Sequence, residues 1–249
     1  PLQQVSLQLP FTTSDMFVMN KVVSHVMDSV PEMQEAWKRN RIRLLTAFVV
    51  DGYHLMTNFP VKSVEDLRGK KILAPGAMAA WLQGTGAIAV NSNLNSYYND
   101  LQTGLADGVI PSLTPAWAIK LHEVAPYITL TNFGAQWTGG LGANEATLKR
   151  LPKGALDAAL RAAKKYEIAF TQTQTDLATA ALDNMIKAGA KVSEFPESER
   201  RRWADALPDL PKQWAGELKS KGLPATKVVN AFVEGLHKNG ITLPRDWSL

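Results

Sequence analysis

The feature that most limits how this chain can fold is the stretch from Lys153 to Ala188. Apolar side chains recur there at three-, four- and seven-residue spacing through Leu156, Leu160, Ala163, Phe170, Leu177, Leu182 and Ile186, and after Gly154 neither Gly nor Pro interrupts before Gly189. That periodicity predicts one continuous helix. At 1.5 Å per residue it reaches roughly 50 Å, which exceeds the width of one small domain. It is read as a spine running along or across two lobes.

Around the spine, short apolar or β-branched runs alternate with helical patterns. Leu44 to Val50, Lys71 to Ala74, Val109 to Ile110, Tyr127 to Thr131 and Gly139 to Ala143 read as strands. Asp15 to Met27 and Met33 to Arg39 read as helices, with Ser14 or Asp15 as N-cap and Pro31 as the break between them. A helix is predicted to open at Pro75 directly after a strand and run to Leu82, and another to cover Leu94 to Leu105 before the turn Ala106-Asp107-Gly108. Val192 to Phe195 is extended, followed by amphipathic segments at Ser198 to Ala206, Lys212 to Lys221 and Ala225 to Asn239. The alternation predicts an α/β fold. With 249 residues, 45% of them hydrophobic, the chain can fill two cores.

Several function classes lose their support. No run of 18 apolar residues exists to cross a bilayer. Cysteine is absent, which removes disulfides, thiolate metal sites and cysteine nucleophiles. A net charge of +4 is spread among acids; the basic runs Lys38 to Arg43, Arg68 to Lys71 and Arg200 to Arg202 have no aromatic platform beside them and read as solvated faces, not a nucleic-acid footprint. His25, His54, His122 and His237 show no metal-ligand spacing. Neither a Gly-x-Ser-x-Gly elbow nor a phosphate-binding loop is present, and Gly84-Thr85-Gly86 follows a predicted helix, not a strand. Asp51, Asp100, Asp107 and Glu123 are explained as turn or helix-surface residues. The chain is expected to be no enzyme and to hold no metal or cofactor.

The aromatic residues Tyr53, Trp81, Tyr97, Tyr98, Trp117 and Trp137 gather near predicted strand ends. In α/β sheets, ligands collect beyond the carboxyl ends of strands, so these rings are candidates for an apolar pocket, with core packing as the alternative for each. Gly134, Gly139 and Gly140 around Trp137 suggest a crossing strand with room beside it.

Three blocks in order, Ser63-Val64-Glu65-Asp66-Leu67-Arg68-Gly69-Lys70-Lys71-Ile72, then Tyr98-Asn99-Asp100-Leu101-Gln102-Thr103-Gly104-Leu105-Ala106-Asp107-Gly108, then the Ala-rich spine, resemble the TRAP-transporter substrate-binding proteins of the dicarboxylate-binding type. Leu9-Pro10-Phe11 and Leu151-Pro152 fit the same pattern. The resemblance implies a two-lobed periplasmic binding protein fold, a cleft that closes on a small organic acid, delivery to TRAP membrane permease subunits, and a periplasmic location. By analogy, residues 1–50 and 138–176 form one lobe and 51–137 with 177–249 the other, the chain crossing near Val50, Trp137 and Asp176. The family carries further strand and helix units before Leu9-Pro10-Phe11, so the first lobe is read as incomplete. Pro1 to Val5 shows neither a basic nor an apolar region of a secretory signal, so such a signal is expected to be removed or outside this chain.

The resemblance also marks two departures. Leu73 stands where the family has a carboxylate-binding arginine, and Tyr53 about where many members have a second basic residue. An alternative anion anchor is expected in the N–H groups of Gly76, Ala77 and Met78 at the helix opening at Pro75. Leu73, Met78 and Trp81 would then favour an aromatic or aliphatic monocarboxylate, with a neutral polar solute on the same receptor fold, or a small-molecule enzyme on a bilobal scaffold, as the alternatives. Asn91, Trp117 and Trp137 complete the expected ligand-binding set of Tyr53, Leu73, Pro75, Gly76, Ala77 and Trp81.

Overall fold

A computed structural model describes residues 2–249; Pro1, the first residue of the opening segment discussed above, lies outside the described residues. After a short helix α1 (Val5–Gln8), Asp15 caps α2 (Met16–Ser29), its Oδ1 accepting the N–H groups of Phe17 at 2.8 Å and Val18 at 3.0 Å. Those bonds satisfy donors that a helix start leaves open. A third helix, α3 (Glu32–Lys38), leads into β1 (Ile42–Thr57). The strand predicted to stop at Val50 therefore continues through Asp51 and Gly52. Gly52 is what allows this: a Cβ there would lie 2.3 Å from Ser14 Oγ, so only glycine lets the segment before α2 cross the strand so closely.

Three short strands follow, β2 (Lys71–Leu73), β3 (Ile88–Val90) and, after α4 (Tyr97–Gln102), β4 (Gly108–Val109). Helices α5 (Leu113–Ala118) and α6 (Leu121–Val124) lead to β5 (Tyr127–Asn144). The two strands predicted at Tyr127 to Thr131 and Gly139 to Ala143 are thus one. Then come α7 (Glu145–Arg150), the spine α8 (Lys153–Lys187), β6 (Lys191–Glu194), α9 (Glu197–Ala206), α10 (Leu210–Lys219) and α11 (Ala225–Lys238).

The strands form one mixed sheet in the order β3-β2-β4-β1-β5-β6. Strands β3, β2 and β4 run parallel, β6 runs parallel to β5, and β1 is antiparallel to both of its neighbours. The β1–β5 ladder extends from Ile42 opposite Asn144 to Thr57 opposite Tyr127, while β4 and β6 join it only at the Thr57 end. The backbone of residues 11–13 lies against β5, with the Phe11 N–H donating to Phe133 O at 2.8 Å and the Ala135 N–H to Thr13 O at 2.7 Å. Gly134 between them has φ +110°, and a Cβ there would meet Thr12 Oγ1 at 2.3 Å.

Alternation along the strands divides the core between the two faces of the sheet. Leu55, Ile72 and Ile110 belong to the larger cluster, which takes in α1, α2, α9, α10 and α11; Met56, Leu73 and Val109 belong to the smaller, under α4, α5, α6 and the end of α8. Helix α11 packs along α2, reinforced by His25 Nε2 to Glu234 at 3.4 Å and, onto α3, Lys227 Nζ to Glu32 at 2.7 Å. That contact joins segments that the expected boundaries put in different lobes.

Candidate functional site

Strands β2 and β4 end side by side, and the chain leaving each turns over the same hollow. Its volume is about 260 Å³. Pro75 and Met78 wall it after β2, and Ile110, Pro111, Ser112 and Pro115 after β4. Asn93, Leu94 and Tyr97 close it from the turn that opens α4, and Tyr53 from β1. This lies beyond the carboxyl ends of the parallel strands β2 and β4, where the strand order reverses because β3 lies on the other side of β2, which is where open α/β sheets characteristically bind ligands.

Local backbone bonds fix these walls. The His54 N–H donates to Pro111 O at 3.0 Å, the Ala74 N–H to Val90 O at 3.0 Å and the Ile110 N–H to Leu73 O at 3.1 Å. The β1–β5 register shifts on both sides of Tyr53, and Tyr53 pairs in an isolated antiparallel bridge with Ser112. Such irregularities re-aim a side chain; here they set Tyr53 against the hollow.

The polar groups facing it are neutral. Burial, with the Asp51 charge second, pushes the Tyr53 phenol up to about 12, and burial, with Tyr53 second, does the same for Tyr97. Neither phenol oxygen has a hydrogen-bond partner among the described residues. Asp51, read from sequence as a turn or surface residue, is buried at 3% exposure; its Oδ2 accepts the Thr114 N–H at 2.9 Å, and burial raises its carboxyl above the usual range. Its position follows from β1 continuing where a turn was read. Larger hollows of about 310 and 530 Å³ lie between α2 and α8, but they are open grooves edged by Lys164, Glu167 and Asp28, without convergent strand ends.

Of the nine residues expected to bind ligand, Tyr53 and Pro75 line the hollow, with Gly76 and Ala77 exposed next to Pro75. Leu73 is fully buried in the smaller core cluster beneath it. Trp81 is fully buried too, stacked on Phe133 at 5.1 Å with its Nε1–H donating to Leu7 O at 2.8 Å. Trp137, 3% exposed, donates through Nε1–H to Gly139 O at 3.0 Å. Trp117 lies half-buried on α5, stacked on His122 at 5.0 Å, and Asn91 is exposed after β3. The helix predicted to open at Pro75 is a 3-10 helix, Gly76–Leu82, and the Met78 N–H, expected to be free, donates to Pro75 O at 3.1 Å. Tight i to i+3 closure uses that donor in the first turn. The helix predicted over Leu94 to Leu105 is confined to α4 because Asn93 organises a turn first, its Oδ1 accepting the Asn95 N–H at 3.1 Å and its C=O the Ser96 N–H at 2.9 Å. Ile110, Pro111, Ser112, Pro115, Asn93 and Leu94 were missed. The signal for the first three was the run Ile110-Pro111-Ser112 directly after a strand.

Among the described residues no three His, Cys, Asp or Glu side chains are grouped to hold a metal ion, and no helix is long and apolar enough to cross a membrane.

An α/β sheet with a hollow at a switch point and a helix the length of α8 defines a solute-binding architecture. The family described as "Bacterial extracellular solute-binding protein, family 7" matches residues 1–217, and the chain belongs to that family. It is 24% identical over 200 residues to the C4-dicarboxylate-binding periplasmic protein DctP of Rhodobacter capsulatus, covering 74% of this chain and 56% of that protein. It is also 24% identical over 220 residues to a solute-binding protein of Sulfitobacter sp., covering 87% of this chain and 66% of the relative. The chain therefore spans less than two thirds of the length of these relatives.

The fold is shared with TRAP periplasmic solute-binding proteins of known structure. One from Desulfovibrio salexigens, in an open complex, superposes with TM-score 0.83 at 19% identity over 96% of this chain and 73% of that one. The ectoine-binding protein TeaA in its apo state gives 0.80 at 18% identity, covering 92% and 76%. A protein from Rhodoferax ferrireducens with copurified benzoate gives 0.80 at 17%, covering 96% and 75%.

Proposed function

We propose that this chain captures a small organic solute in the hollow between Tyr53, Pro75, Tyr97 and Ser112 and serves, outside the cytoplasm, as the receptor of a TRAP-type transporter, catalysing no reaction itself. The observation that carries this reading is the site: apolar walls, pinned loops and two phenol hydroxyls without protein partners, at the carboxyl ends of β2 and β4. Binding sites are built in this way, with a largely apolar lining and few convergent polar groups. Small organic acids and uncharged polar solutes are both ligands of the kind the sequence suggests, and benzoate in the Rhodoferax protein supports a ring-sized body.

Delivery to a permease and closure of a cleft belong to the same proposal. Lobes dividing near Val50, Trp137 and Asp176 would part within β1, β5 and α8, the three elements that run the length of the molecule. Such a motion would have to carry α11 together with α2.

The test is a thermal-shift screen of the chain against small organic acids, amides and polyols, followed by recovery of any stabilising solute. Stabilisation that grows with solute concentration, with the solute recovered unchanged, supports a receptor. Chemical conversion of the solute, or a shift unaffected by Tyr53→Ala and Tyr97→Ala, counts against it.

A further inference from the structure

We propose that the end of the solute read by this site is uncharged, an amide or alcohol on an apolar body, and not a carboxylate; the inference rests on the receptor reading above. Among the described residues, the walls of the hollow come from residues 44–61 and 72–119, and neither stretch contains a Lys or Arg. The one histidine in them, His54, is 4% exposed and faces another hollow, where it stands with Asp51 and Asp183.

The charge that does lie close by is negative. Asp51 is buried two residues from Tyr53 and holds the first turn of α5 directly behind Ser112 and Pro115. A carboxylate entering the hollow would give up part of its water and find no Lys or Arg among the described residues that line it. An amide or hydroxyl loses far less on dehydration. It also needs both a donor and an acceptor, and the two free phenols can each serve as either.

The hollow holds about 260 Å³, just below the usual range for small-molecule sites, which suits a ring-sized body.

Calorimetric titration of the chain with matched pairs, benzamide against benzoate and cyclohexanecarboxamide against cyclohexanecarboxylate, separates the possibilities near neutral pH. The expected result is that each amide binds at least about tenfold more tightly than its acid, and that Leu94→Lys, which adds a cation on the exposed rim, reverses the order. Acids binding as well as or better than their amides would overturn the inference and leave the receptor reading standing. Failure of both members of every pair to bind would overturn both.

Discussion

Asp51 Oδ2 accepts the backbone N–H of Thr114 at 2.9 Å, tying the middle of β1 to the first turn of α5 across 63 positions of sequence. Together with the His54 N–H to Pro111 O bond, it anchors the wall that carries Pro111, Ser112 and Pro115. It also places a carboxylate at 3% exposure.

Burial is the largest influence on Asp51 and raises its pKa in the fold, against the Thr114 and Ser112 hydrogen bonds that lower it. A group whose folded value lies above the unfolded one contributes stability at low pH that is lost as pH rises through the folded value. Asp51→Asn keeps an acceptor for Thr114 and removes the ionisation, so it is expected to be at least as stable as the parent at neutral pH. Asp51→Ala leaves the N–H unpaired and is expected to cost about 1–3 kcal/mol. Urea unfolding across a pH series measures both; an Asn variant clearly weaker than the parent at neutral pH would refute the assignment.

His54 has the opposite sign. Burial first, and the Arg200 charge second, push its imidazole down to about 4. Its neutral form contributes stability above the ordinary histidine range, and that contribution is lost as pH falls from about 6.5 to about 4. The stake is on the order of 3 kcal/mol. His54→Gln is expected to remove this component of acid unfolding, visible as a flatter stability profile between those two pH values. An unchanged profile would mean that His54 already titrates normally in the fold.

Trp81 joins three elements. Its Nε1–H donates to Leu7 O at 2.8 Å, its own carbonyl accepts Trp203 Nε1–H at 2.7 Å, and its ring stacks on Phe133. Trp81→Ala is expected to destabilise by about 3–5 kcal/mol, in the range for a buried aromatic truncated in a core. Chemical denaturation gives the number. A loss under roughly 1 kcal/mol would return Trp81 to the list of ligand-facing residues.

The Tyr53 and Tyr97 hydroxyls behave differently because they hold no protein partner. Tyr53→Phe and Tyr97→Phe are each expected to leave the melting temperature nearly unchanged while weakening solute binding by about two- to tenfold, the worth of one hydrogen bond. Parallel melting and titration experiments distinguish this from a structural role, in which stability would fall and affinity would not.

Gly134 tests the approach of the N-terminal segment to β5. With φ +110° and Thr12 Oγ1 2.3 Å from where a Cβ would stand, Gly134→Ala is expected to cost about 1–3 kcal/mol through strain and displacement of residues 11–13. A variant as stable as the parent would show that this segment is not held there in solution.

Much of the architecture was legible because it is written in local chemistry. The uninterrupted periodicity after Gly154 gives α8, Asp15 gives the start of α2, and the α/β alternation gives the fold class. The ordered blocks around Arg68 and Asp107 pointed to the family to which the chain belongs. Tyr53 and Pro75 were singled out from their place near strand ends, and both line the hollow.

Other features depend on partners distant in sequence. Asp51-Gly52 reads locally as a turn, yet β1 passes through it because Ser14 crosses there and Thr114 supplies a donor. Trp81 and Trp137 carry no local sign of whether a ring faces a cavity or a core; that was decided by Phe133, Leu7 and the segment around Ser6 packing over them. The sequence alone determined the α/β class, the spine α8, the family and the absence of any cation from 72 to 119. Tertiary structure decided which of the aromatic residues lie at the hollow and where the buried acid stands, because burial and pairing are properties of distant segments brought together and not of spacing along the chain.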